Sequence, residues 1–307
     1  MKNMHVSRKS LSGLTLIELM VSLAMSLLVV MAASSFFLGS SRSRDTQDDT
    51  GQLQDNARFA TEMITKSIQQ AGYQNYMAGS AGAANRREVA AASDGEPDIR
   101  GYNNSAAGTS TDNGVHDRSA NRVNNSDTLV VRYQGSGSPA DGSMIDCMGR
   151  SQVAPSTPGD RAFSIFEVRQ PVGSAEPELR CKYFNVSTGS FSVEPIVRGV
   201  ETLQFMYGID TDGDSFADRW LNAAEVSPTG SATPAADWAR VRSVRVGMVL
   251  RSPNRVAVTT GVGTTTVMVS PLGTNFSQNV NDTLPVNSAD GRLRKLVTFT
   301  VNLRNVL

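Results

Sequence analysis

Residues 14–38 read LTLIELMVSLAMSLLVVMAASSFFL, and this stretch sets the class of the chain. Between Glu18 and Arg42 lie 23 residues without a charge. As a helix rising about 1.5 Å per residue, that run spans the roughly 30 Å hydrocarbon core of a bilayer. Lys2, Arg8 and Lys9 precede it with no acid among them. The positive-inside tendency then holds residues 1–13 in the cytoplasm and sends the remainder of the chain across the inner membrane. A secretory signal peptide ending at Met31-Ala32-Ala33, before Ser34, fits a basic start and an apolar run, and so does a plain signal anchor. Neither explains Glu18, because a carboxylate in hydrocarbon costs at least a few kcal/mol unless it is paired.

The whole N-terminal constellation resembles the type IV prepilin family: a short basic leader, Ser12-Gly13, then Leu14-Thr15-Leu16-Ile17-Glu18-Leu19. That resemblance implies cleavage between Gly13 and Leu14, N-methylation of Leu14, and a subunit-register role for Glu18. The new amine is a fitting partner for the Glu18 carboxylate, and the resemblance implies that a neighbouring subunit supplies it. Leu14 departs from the Phe or Met usual in the family at this position. Read alone, Glu18 also fits a side chain that reaches back to the headgroups.

After Arg42 the polarity changes, and Leu53, Ala57, Ala60, Ile64, Ile68 and Ala71 recur at intervals of three and four. This is the apolar face of an amphipathic helix. Arg58, Glu62 and Lys66 lie four apart on another face, where Glu62 and Lys66 are placed to pair. Gly72 stands where a helix C-terminal glycine belongs. The spacing predicts one helix over 14–72, bent if anywhere at Gly39 or Gly51, with a transmembrane segment over 14–38. The stretch from Gln54 to Tyr73 resembles the PilW subgroup of minor pilins, related to the J-type pseudopilins of type II secretion, although its stripe reads as ordinary core.

Residues 73–127 are rich in Gly, Ser, Asn and Ala and read as an exposed, variable loop. From 128 to 307 the pattern is β. Leu203, Phe205, Tyr207 and Ile209 alternate, as do Val244, Val246, Met248 and Leu250, and Val297, Phe299, Val301 and Leu303. Such alternation predicts an antiparallel sheet covered on one side, here by the helix, and therefore an α+β head domain of pilin type. Val241–Ser252 and Arg294–Asn305 again resemble the PilW group.

Cys147 and Cys181 lie outside any CxxC motif; if the N-terminus exports the chain, a disulfide is their natural pairing, and two separate buried thiols are the alternative. Asp210-Thr211-Asp212-Gly213-Asp214-Ser215-Phe216-Ala217-Asp218 directly follows the Leu203–Ile209 strand. Its carboxylates at loop positions 1, 3, 5 and 9 resemble part of an EF-hand and suggest a structural calcium site at Asp210, Asp212, Asp214 and Asp218. A solvated acidic turn fits the same residues.

Without residues 1–13 the chain has 26 basic against 29 acidic residues, about −3, so no basic field argues for nucleic acid. The sequence carries no P-loop, dinucleotide fingerprint, GxSxG or HExxH, and its two histidines, His5 and His116, sit in the leader and the loose loop. No enzyme and no required cofactor are expected. The resemblance implies a minor pilin in the inner membrane, its head in the periplasm and later in the filament. Its expected partners are other minor pilins, the major pilin, the prepilin peptidase, the assembly platform and a large tip adhesin. A J-type pseudopilin and a surface ligand-binding module remain the alternatives.

Overall fold

The computed structural model describes residues 15–75, 96–107, 123–155, 160–185, 188–228, 230–255, 266–276, 283–287 and 290–305. Gly13, Leu14, the basic leader, His116 and much of the 73–127 stretch lie outside the described residues. The chain divides into two units, Met1–Asp48 and Asp49–Leu307. One helix, α1, covers Leu16–Gln70 without interruption, with Gly39 and Gly51 inside it.

In the first unit every large apolar side chain from Leu16 to Leu38 is more than half exposed, so no protein covers the run. In the second unit α1 buries Leu53, Ala57, Ala60, Ile64 and Ile68, the face that the spacing predicted. These residues share one core with both large sheets. At the end of α1, Gly72 takes φ +70 and its N–H donates to Arg132 O at 3.0 Å. Asn305 completes the end, its Nδ2 donating to Gln69 O and Ala71 O at 3.2 Å. Glu62 and Lys66 do not pair, since both are exposed and solvent separates such charges at little cost.

Eleven strands are described. β1 (Ile99–Tyr102), β2 (Thr128–Tyr133), β3 (Ala162–Arg169), β4 (Glu178–Asn185) and β5 (Ser190–Arg198) form an antiparallel meander in chain order. β6 (Val200–Ile209), β7 (Arg219–Leu221), β8 (Val241–Arg251) and β11 (Arg294–Asn302) form a second antiparallel sheet, ordered β11-β8-β6-β7. β9 (Thr266–Val269) and β10 (Leu284–Asn287) pair with each other. Two short helices follow β7: α2 (Ala223–Val226) and α3 (Pro234–Ala239). The architecture is α+β, and it has two large sheets where period-two patterning suggested one.

The difference arises at β6. Its apolar face is buried as expected, but all ten of its residues are buried. The other face is closed by hydrogen bonds: Gln204 Nε2 donates to Asn125 O at 2.8 Å, and Thr202 Oγ1 to Asn124 O at 3.4 Å. Asp127, at the start of β2, accepts the Phe205 N–H at 3.0 Å on Oδ2 and the Asn104 N–H at 2.8 Å on Oδ1. Polar side chains that read as solvent-facing are therefore satisfied inside. β1 departs from the expectation of a loop over 73–127. Its one large buried apolar residue is Ile99, and Gly101 is required because a Cβ there would stand 1.8 Å from Tyr207 Oη. So sparse a strand has no legible period.

Candidate functional site

Three sets of residues carry the functional expectations. At the start of α1, Thr15 is the residue before the first helical turn and Glu18 the third within it. Thr15 N and Oγ1 both donate to Glu18 Oε2 at 3.0 Å, and the Glu18 N–H donates to Thr15 Oγ1 at 3.3 Å. This reciprocal capping box satisfies orphan N–H groups of the helix and gives Glu18 a local task. The Thr15-x-x-Glu18 spacing that announces it was present in the sequence. A prepilin amine is therefore not needed to account for a carboxylate at this position. Glu18 Oε1 has no hydrogen bond among the described residues.

Cys147 and Cys181 form a disulfide with Cα atoms 6.1 Å apart. Both are buried, and the bond ties the segment before β3 to the middle of β4. Closing a loop of 34 positions restricts the unfolded chain by roughly 3–4 kcal/mol on the chain-entropy model. Beside it, burial pushes the Asp146 carboxyl above its ordinary value despite N–H groups from Arg150 and Met148.

The acidic loop joins β6 to β7. Gly213 takes φ +87 and Ser215 φ +72, so the backbone turns back on itself twice. Asp210 Oδ1 accepts the Gly213 N–H at 2.6 Å, and its Oδ2 accepts the Ser215 N–H at 3.0 Å. Arg242 of β8 donates from Nε to Asp210 Oδ2 at 3.0 Å. Burial acts to raise the Asp210 pKa, but these donors outweigh it and hold the carboxyl below its ordinary value. Asp218 is lowered by the Thr211 hydroxyl and N–H, both 2.7 Å from its Oδ2.

Asp210, Asp212 and Asp218 each bring one ligand atom into a group within 4.8 Å. Asp214 is not part of that group; its Oδ1 accepts the Phe216 N–H at 2.8 Å. The expected quartet is thus a trio. Oxygen donors of this kind suit a hard divalent cation. Arg242 already neutralises one of the three, which a count of carboxylates along the sequence did not reveal.

The family described as Type IV Pilus-assembly protein W (PilW) matches residues 165–305. The matched segment begins within β3 and includes the whole four-stranded sheet, the disulfide's Cys181 and the acidic loop. Among solved structures, the type IV-like pilin TTHA1219 from Thermus thermophilus is similar at 15% identity, covering 83% of this chain and 97% of that one, with a TM-score of 0.39. No curated protein matches the chain. From within β3 through Asn305, therefore, the chain is similar to the PilW family of type IV pilus-assembly proteins.

Proposed function

We propose that this chain is a minor pilin that helps to prime type IV pilus assembly from the inner membrane. The supporting observation is the combination in one chain of a PilW-type domain with an apolar helix left uncovered from Leu16 to Leu38. A single membrane-length helix also occurs in signal sequences, so the family match gives it its meaning.

In this reading the leader is removed between Gly13 and Leu14, and Leu14 is methylated on its new amine. Glu18 then has two tasks. Its Oε2 closes the first turn with Thr15, while Oε1 remains to accept a neighbouring subunit's N-terminal amine. A charge-assisted bond of that kind, in hydrocarbon, fixes the axial register of one helix against the next. The head stands in the periplasm, and then on the filament, among other minor pilins, the major pilin and a large tip adhesin. Twitching, adhesion and DNA uptake follow from the filament, and a separate ATPase supplies the energy of assembly. The Asp210, Asp212 and Asp218 oxygens bind calcium in a structural role.

The first test is Gly13→Ala, followed by blotting for chain size. An uncleaved precursor is expected, and an unchanged mature size would sink the prepilin reading. Deletion tests the rest. Loss of surface pili with protein secretion intact supports the proposal, whereas lost secretion with intact pili identifies a J-type pseudopilin. A head that binds a surface ligand, with neither process affected by deletion, leaves the ligand-binding alternative.

A further inference from the structure

The acidic loop carries an aromatic side chain for which cation binding has no use. Phe216 is 73% exposed, and its backbone is fixed by the bond to Asp214 Oδ1. Asp214 beside it lies outside the Asp210–Asp212–Asp218 group, is exposed and forms no ion pair among the described residues. An exposed ring beside an uncompensated carboxylate is complementary to an apolar recess edged with cations.

The same unit contains such a recess. Ala57, Thr61 and Thr65 of α1 and Val297 of β11 line a groove of about 540 Å³. Arg58, Lys66 and Lys295 edge it against a single carboxylate, Glu62. None of these three cations has an ion pair among the described residues.

Sheet order supplies the remaining argument. The groove lies at the β11 edge of the β11-β8-β6-β7 sheet, while the loop lies at the other side, where β6 turns into β7. One chain does not reach its own groove with its own Phe216. We propose that the Phe216 loop of one copy docks into the α1–β11 groove of a second copy. Both halves of the complementarity are on this chain, which is why the occupant is a second copy. The contact is heterologous: different patches meet, and repetition gives a ring or a running array instead of a closed two-fold pair. It goes beyond the proposed function and stands whether or not the chain acts in a pilus.

Cysteine cross-linking between two differently tagged full-length chains tests it, in membranes of a host that has no other pilus proteins. One chain carries Phe216→Cys and the other Thr61→Cys, and the native cysteines are occupied by each other. On oxidation, a mixed dimer is expected at roughly ten times the yield of a control pair, Val172→Cys with Thr61→Cys. Val172 is fully exposed and lies on neither surface. Lys66→Glu with Lys295→Glu on the groove chain should lower the yield roughly tenfold. Both changed side chains lie at least partly in solvent, and retention of the Cys147–Cys181 bond checks folding. A yield no higher than the control overturns the proposal, as does indifference to charge reversal. Equal cross-linking between two Thr61→Cys chains also overturns it, because helix contact alone would then explain association.

Discussion

Between Leu16 and Leu38, α1 turns large apolar side chains outward on every face, whereas between Leu53 and Ile68 it buries one stripe and leaves charges on the rest. The backbone is helical in both stretches, so conformation does not distinguish them. What differs is the medium each requires. The first stretch needs an apolar environment from outside the chain, lipid or neighbouring helices. The second finds its apolar environment in β2, β3, β4, β6 and β8 of the same chain. A substitution should therefore act on membrane attachment in one stretch and on folding in the other.

The largest expected effect is at Ile64, which is fully buried. Ile64→Asp leaves an uncompensated charge in the core and should destabilise the second unit by roughly 3–5 kcal/mol. Denaturant unfolding of the full chain in detergent, followed by the fluorescence of buried Trp238, measures this. Membrane association should survive. Leu28→Asp reverses the pattern. Membrane insertion should weaken by roughly 2.5–3.5 kcal/mol while the fluorescence transition stays put. If Leu28→Asp shifts that transition as far as Ile64→Asp, the two stretches are not separable in this way.

A smaller effect is expected at the cap. Thr15→Ala removes both the hydroxyl that accepts the Glu18 N–H and one donor to Glu18, so the first turn should lose about 1 kcal/mol. Amide exchange at residues 16–19 in micelles reads it, with no change expected at residues 53–68. Smallest is the response of the acidic loop. Asp210 and Asp218 are held below their ordinary pKa, so their contribution is full above about pH 4 and is lost as pH falls through the depressed values. Order in the loop should fade on acidification while α1 remains helical. Calcium should raise the melting temperature of the full chain in detergent, and Asp212→Ala should remove that rise; titration calorimetry with no heat would exclude the ion.

The sequence was most informative where one rule governs many residues. Leu53 to Ile68 repeat the helical spacing four times, and Gly72 marks a stop that its positive φ explains. The disulfide followed from there being two cysteines on a chain whose N-terminus predicts export. Pairwise matters were less legible. That Gln204 and Thr202 point into protein depends on Asn124 and Asn125, nearly eighty positions earlier. β1 shows itself only through β2, its partner, because Ile99 gives too short a signal. In the acidic loop, spacing located the carboxylates but not Arg242, whose charge arrives from another strand. The cap at Thr15 is a different case. Its signal, Thr15-x-x-Glu18, is local and complete in the sequence.

One consequence follows from the end of α1. Asn305 donates to Gln69 O and to Ala71 O, the latter 234 positions before it. The carbonyls of the first-made helix thus stay unmet by protein until almost all of the second unit has been synthesised. Sequence separation of this size slows folding, because a long loop must close before its contact contributes. The core-facing stripe of α1 is meanwhile exposed to any other apolar surface at hand. A chain built in this way reaches its final form only once Asn305 has been made, and until then the end of α1 is left open.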